Sequence, residues 1–87
     1  MKYMLSLSWK PENAAKISER FMKWKAPEGW TWITPSYTLL GLNRNVCIIE
    51  ANAEALAQGD RDWRDLGVFK AIPVMESSEM VKIKPSV

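Results

Sequence analysis

The sequence predicts an α+β fold of the split β-α-β kind: a four-stranded antiparallel sheet with two helices on one face. Three observations predict it. The elements read in the order strand, helix, strand, strand, helix, strand. The apolar period switches between two residues and about 3.6 at each element boundary. The 87 residues suit one domain, spanning 1–87 with a short tail from 76 to 87, and contain neither an internal repeat nor a low-complexity stretch.

Residues 2–9 alternate, with Tyr3, Leu5, Leu7 and Trp9 on one face and Met4, Ser6 and Ser8 on the other. Pro11 then has the fixed φ that suits a helix start. From Glu12 to about Trp24 the period becomes helical, placing Ala14, Ile17, Phe21 and Trp24 on one stripe and Lys16, Glu19, Arg20 and Lys23 opposite. Ala26–Pro27–Glu28–Gly29 ends this helix. Residues 30–42, rich in aromatic and β-branched side chains, predict a strand that Pro35 must interrupt or confine to an edge. Its safer part is 37–42. Asn43–Arg44–Asn45 predicts a hairpin connection and residues 46–51 the paired strand. Asn52 is a good N-cap for a second helix over 53–66, in which Leu56, Trp63 and Leu66 share a side and Gly59 invites a break. Residues 68–75 predict the fourth strand. Ser77–Ser78–Glu79 predicts one short turn before the tail.

Composition narrows the function. The chain is 47% apolar and 25% charged with a net charge of +2, an ordinary globular balance that carries no basic stripe for nucleic acid. No run approaches the roughly 20 apolar residues of a membrane span, and the N-terminus reads as a strand and not as a signal peptide. The expectation is a cytoplasmic protein. With no histidine and a single cysteine, the commonest general base and the commonest metal ligands are missing, and no metal is expected. The four glycines are scattered, so no phosphate loop or dinucleotide fingerprint is present, and no cofactor is expected.

Candidate acid–base groups are Tyr37, Asp62, Asp65, Glu50 and the lysines, with Tyr37 and Glu50 the catalytic candidates; Glu50 sits at the end of an apolar strand, where a carboxylate would be exposed, ion-paired or partly buried. Asp60–Arg61–Asp62 and Arg64–Asp65 read as a solvated helical face. Ser6 and Ser8 would either hydrogen-bond a ligand or keep the sheet surface thin where a partner packs. Trp30 and Trp32 would line a pocket mouth or pack on a partner, whereas Trp9 and Trp24 read as core and Trp63 as a helix-to-sheet anchor more than a stacking platform. Cys47 reads as a small buried hydrophobe.

Two helices on one sheet face leave the other face bare. An apolar bare face on so small a domain is an interaction surface, and a second copy would cover it with a two-fold, self-complementary interface. A homodimer is therefore expected.

Three stretches resemble a known group. Tyr3–Met4 runs into Trp9–Lys10–Pro11. Tyr37 and Gly41 lead through Asn43–Arg44 into Ile48–Ile49–Glu50–Ala51. Trp63–Arg64–Asp65–Leu66 precedes Pro73–Val74–Met75 and Ser77–Ser78–Glu79. Over residues 2–82 the chain resembles a small bacterial and archaeal family of unknown function whose members are dimeric α+β barrels with a ferredoxin-like βαββαβ protomer. That resemblance implies a cavity beside the sheet. Relatives by fold include cofactor-free monooxygenases, muconolactone isomerase-like enzymes, haem-handling proteins and ligand-sensing domains. Many use a histidine near the second strand, where this chain offers Tyr37.

The functional expectation is a homodimer binding a small apolar or aromatic molecule in an aromatic-rich cavity, with Ser6, Ser8, Trp32, Tyr37 and Asn45 as candidate ligand contacts. One alternative is a cofactor-independent monooxygenase or isomerase. There Tyr37 or Glu50 would handle a proton, and Asn45 or Trp32 would position substrate. A second alternative is a structural interaction module using the bare face alone.

Overall fold

A computed structural model describes residues 1–83. Strand β1 is Lys2–Trp9, and a 3-10 turn, Pro11–Asn13, leads into helix α1, Ala14–Lys23. Strands β2 (Trp30–Trp32), β3 (Tyr37–Leu39) and β4 (Arg44–Ala51) follow, then α2 (Ala53–Trp63), β5 (Gly67–Pro73) and α3 (Ser77–Ile83). Strand β1 lies at the centre, antiparallel to β4 on one side and β5 on the other. The outer edge of β4 takes both β2 and β3. The architecture is α+β with an open antiparallel sheet of five strands.

Five strands replace the expected four because the 30–42 segment breaks in two around Pro35. Trp32 pairs with Ile49 and Tyr37 with Val46, so four residues (33–36) face two (47 and 48). The N–H groups of Ile33 and Thr34 both donate to the Ile48 carbonyl, at 2.9 and 3.0 Å. The Ile48 N–H donates in turn to Thr34 Oγ1 at 2.9 Å. Proline lacks the N–H that a continuous ladder would need there, and the surplus residues bulge outward. Because the surplus is two residues, the inward and outward faces of the edge are preserved across the break.

Further boundaries differ from expectation: β4 begins at Arg44 where 46 was expected, and β5 spans Gly67–Pro73 where 68–75 was expected. Strand β3 stops at Leu39, and the chain turns through Gly41 (φ +85°) and Asn43 (φ +48°). Helix α2 ends at Trp63 and runs unbroken through Gly59. Residues 77–83 are the two-turn helix α3 where a short turn and a tail were expected; residues 84–87 of that tail lie outside the described ones. The Asn52 cap is as predicted: its Oδ1 accepts from the Ala55 N–H at 2.8 Å.

Both long helices cover one sheet face. Leu5, Cys47, Ile49 and Ala51 pack under Ala55 of α2. Leu7 packs with Ile17 of α1 and with Trp63 and Leu66. The alternation in β1 thus buries Leu5 and Leu7 and half-buries Tyr3 and Trp9 on the predicted face, and burying such aliphatic side chains contributes about 1.5–3 kcal/mol each. On the opposite face the register sets out rows across the strands. Ile48, Met4 and Ile72 form one. Tyr37, Val46, Ser6 and Lys70 form the next, and Leu39, Arg44, Ser8 and Val68 a third. The described residues place no helix-core cluster on this face.

Candidate functional site

The period of two in Trp30–Thr31–Trp32 aims both indoles at the helix-covered face, opposite Ala51 and Ile49. The helical period aims Phe21 at the same space, and Trp24, immediately after α1, turns in beside it. Trp63 closes the group from the last turn of α2. Trp24 is the hub: its ring centroid lies 5.3 Å from Trp30, 6.4 Å from Trp32 and 5.6 Å from Trp63, at interplanar angles of 70–87°. Trp30 and Trp32 are 5.6 Å apart at 63°. Edge-to-face geometry of this kind is worth about 0.5–1.5 kcal/mol per pair beyond area burial.

These rings border a cavity of about 40 Å³ floored by Leu5, Leu7, Cys47 and Phe69 and completed by Ser36 and Asn45. Phe21 and Trp32 form its rim and remain 42% and 41% exposed, whereas Trp63 at its inner wall is 4% exposed. No lysine, arginine, aspartate or glutamate lines it. Its polar atoms are few. Asn45 Oδ1 accepts from the Thr38 hydroxyl at 2.9 Å, which leaves the Nδ2 hydrogens as donors. Burial pushes the Cys47 thiol up from its ordinary value of 9.0 to about 11, so it stays protonated and weakly nucleophilic at neutral pH.

A polar clamp behind the cavity holds its wall in place. Trp24 Nε1 donates to Asp62 Oδ2 at 2.8 Å, and Gln58 Nε2 donates to Oδ1 at 2.7 Å. Arg20 donates to the Asp62 carbonyl at 2.6 Å and grips both carboxylate oxygens of Asp65, at 2.7 and 3.0 Å. That hydrogen-bonded pairing lowers the Asp65 carboxyl below its usual range and raises the Arg20 guanidinium. Arg20 also lies 5.8 Å from the Trp63 ring centre, a cation–π distance. The acidic stretch read as a solvated face therefore ties α1 to α2.

The sequence matches the family described as a domain of unknown function, DUF3303, over residues 1–86. The chain belongs to this family. No curated protein and no solved structure matches it.

In this DUF3303 chain the sequence-predicted site residues divide between the two sheet faces. Trp32 and Asn45 line the cavity together. Ser6, Ser8, Tyr37 and Glu50 stand on the open face, as their register with Val46, Arg44 and Lys2 requires. Tyr37 is exposed there, and Glu50 pairs with the Met1 amine. Among the described residues, no group of three or more His, Cys, Asp or Glu side chains is placed to hold a metal ion. Nor is any helix long and apolar enough to cross a membrane.

Trp24, Trp63 and Phe21 were not among the candidate ligand contacts, and Trp30 was expected only to line a pocket mouth or pack on a partner; all four line the cavity. Two signals pointed to them: the i, i+2 spacing of Trp30 and Trp32, and the i, i+3 spacing of Phe21 and Trp24. Both spacings put an aromatic pair on one face.

Proposed function

We propose that this protein binds a flat apolar or aromatic molecule in the tryptophan-lined cavity and that it works as a homodimer. The observation that carries the binding reading is the ring of tilted indoles with Trp32 and Phe21 left exposed at its mouth. Concave sites lined by aromatic side chains, with few polar groups, suit such ligands. A cavity of about 150 Å³ holds a benzene, so the inner 40 Å³ admits only the leading edge of a ligand. Its body would lie against Phe21 and Trp32.

The homodimer reading rests on the Ile48–Met4–Ile72 row of the open face, flanked by Val46 and Val68. Counted as one interrupted strand, β2 and β3 give the order (β2/β3)-β4-β1-β5, which supports a ferredoxin-like protomer within a dimeric α+β barrel. The enzyme alternative has less support, since Tyr37 and Glu50 stand away from the cavity. A purely structural module would use the open face and leave the cavity idle.

Native mass spectrometry of freshly purified protein at several concentrations tests both parts. The expected result is a dimer with added non-covalent mass that leaves on denaturation. A monomer at every concentration sinks the dimer. Absence of added mass, with no quenching of tryptophan emission by aromatic probes, sinks the binding reading.

A further inference from the structure

Helix α3 stands apart from the protomer that carries it. Among the described residues, no backbone hydrogen bond and no ion pair joins residues 75–82 to the rest of the chain, and none of them enters either core cluster. Its apolar side chains face solvent: Met75, Met80 and Val81 are 53%, 55% and 68% exposed. The Cα radius of gyration is 14.7 Å, against about 12 Å for a compact chain of this length.

The helix carries a pattern on one side. The Glu76 carbonyl accepts from the Met80 N–H at 3.2 Å, so the two residues lie one turn, about 6 Å, apart on the same side. Strand β5 offers the counterpart at the edge of the open face. Val68, Lys70 and Ile72 alternate outward there, all three exposed and about 6–7 Å apart in turn. Lys70 has no ion-pair partner among the described residues. One helical turn therefore matches one outward step of the strand. A helix laid along β5 with Met80 on Ile72 or on Val68 sets Glu76 over Lys70.

We infer that α3 is an arm exchanged between two copies, each laying it along β5 of the other with Glu76 against Lys70 and Met80 on an adjacent apolar residue. This rests on the homodimer reading above and adds the segment that holds the partner. Both copies give and receive an arm, as a two-fold interface requires. The charge pairing selects the second copy over the chain's own strand. The Val74 N–H pairs with the Lys2 carbonyl at 3.0 Å, which keeps the chain in line with the sheet to that point. Folded back from there, α3 would begin level with Val74, leaving Glu76 two outward steps, about 13 Å, from Lys70.

Sedimentation equilibrium of the full chain tests this by charge exchange. Lys70→Glu and Glu76→Lys are each expected to weaken the dimer about tenfold, because a two-fold interface repeats the like-charge contact. The double variant, with the charges exchanged, should return to within about threefold of wild type. Both side chains are exposed, so the fold does not depend on either. Chains carrying Lys70→Cys or Glu76→Cys, each with Cys47→Ala, are then mixed with a short bismaleimide, which should join unlike chains. Single variants that dimerise as wild type does, a double variant no stronger than the singles, or no joining of unlike chains overturns the inference and leaves the homodimer reading standing. A chain carrying both new cysteines that links only to itself means that α3 closes on its own β5, and overturns it too. A wild-type chain that stays monomeric at every concentration overturns the homodimer reading and the inference with it.

Discussion

The six-membered ring of Trp30 lies directly on Gly59 of α2, so closely that a Cβ built there would come within 2.7 Å of Cζ3 and 3.2 Å of Cη2. Gly59 is thus buried inside a helix where its missing side chain is the seat for an indole. The local cost of a mid-helix glycine is offset by the packing of one wall of the cavity.

Gly59→Ala should therefore destabilise the fold. On an exposed helix the change gains about 1 kcal/mol, but forcing a methyl against a rigid, packed ring costs about 1–3 kcal/mol. A net loss of about 1 kcal/mol is expected by chemical denaturation. In a Trp30→Phe background, where Cζ3 and Cη2 of the indole are gone, the same substitution should turn stabilising. A Gly59→Ala effect of the same sign and size in both backgrounds would remove the seat argument.

Trp32→Ala separates binding from folding. The residue is 41% exposed at the cavity rim, and its removal should cost no more than about 1 kcal/mol of stability. Trp63→Ala, at 4% exposure, should cost about 3–5 kcal/mol. Only the first variant is informative about function. Titrations with an aromatic probe should show its affinity fall at least tenfold with the thermal midpoint little moved, and unchanged affinity would count against the cavity as the site.

These residues also show how far the sequence could be read. The alternation in β1 was legible because one face is buried and the other is not, so Leu5 and Leu7 declared themselves. Asn52 was legible because capping is local chemistry. The break at Pro35 was legible as an interruption, but the two extra residues depend on how β4 is paired, which is long-range information. Gly59 misled for the same reason. Its cost is local, and the indole that compensates it comes from a strand twenty-nine residues earlier. The cavity was half-legible. Trp32 and Asn45 fell inside it, and the i, i+3 spacing put Trp24 on the same face as Phe21, yet the bond to Asp62 that holds Trp24 as the hub is a long-range contact.

Cys47 should be silent toward alkylating reagents at neutral pH. Its burial holds the thiol at about 11 against an ordinary value of 9.0, and the thiolate is the reactive form. The unfolded chain releases this proton first as pH rises, so the folded state loses stability between about pH 9 and 11. Thermal midpoints across that range should therefore fall more steeply for the wild type than for Cys47→Ala. Rapid labelling of the native protein at pH 7.5 would contradict the burial argument.

The Arg20–Asp65 pair gives the opposite pH dependence. Arg20 holds the Asp65 carboxyl below its ordinary 3.8, so the pair's contribution is full above that value and is lost as pH falls through the lowered one. Asp65→Asn should lower the thermal midpoint slightly at pH 7, the pair being exposed, and the gap from wild type should close in acid. A gap that stays constant down to pH 2 would mean that the carboxylate charge contributes nothing to joining α1 and α2.

The open face can be tested without touching the cavity, because the two lie on opposite sides of the sheet. Ile72 is 47% exposed and sits in the row with Met4 and Ile48. A two-fold interface repeats any substitution, so Ile72→Lys would bring two like charges into one desolvated surface. Sedimentation velocity should then report a monomer, with circular dichroism unchanged because the helix-side core is untouched. Retained aromatic-probe affinity in that monomer would mean that each protomer holds a complete site. Lost affinity would mean that the partner shapes the cavity mouth. If wild type and variant sediment alike, the open face is not where two copies meet. Ser6 and Ser8, which share this face with Ile72, would then be left with water as their neighbour.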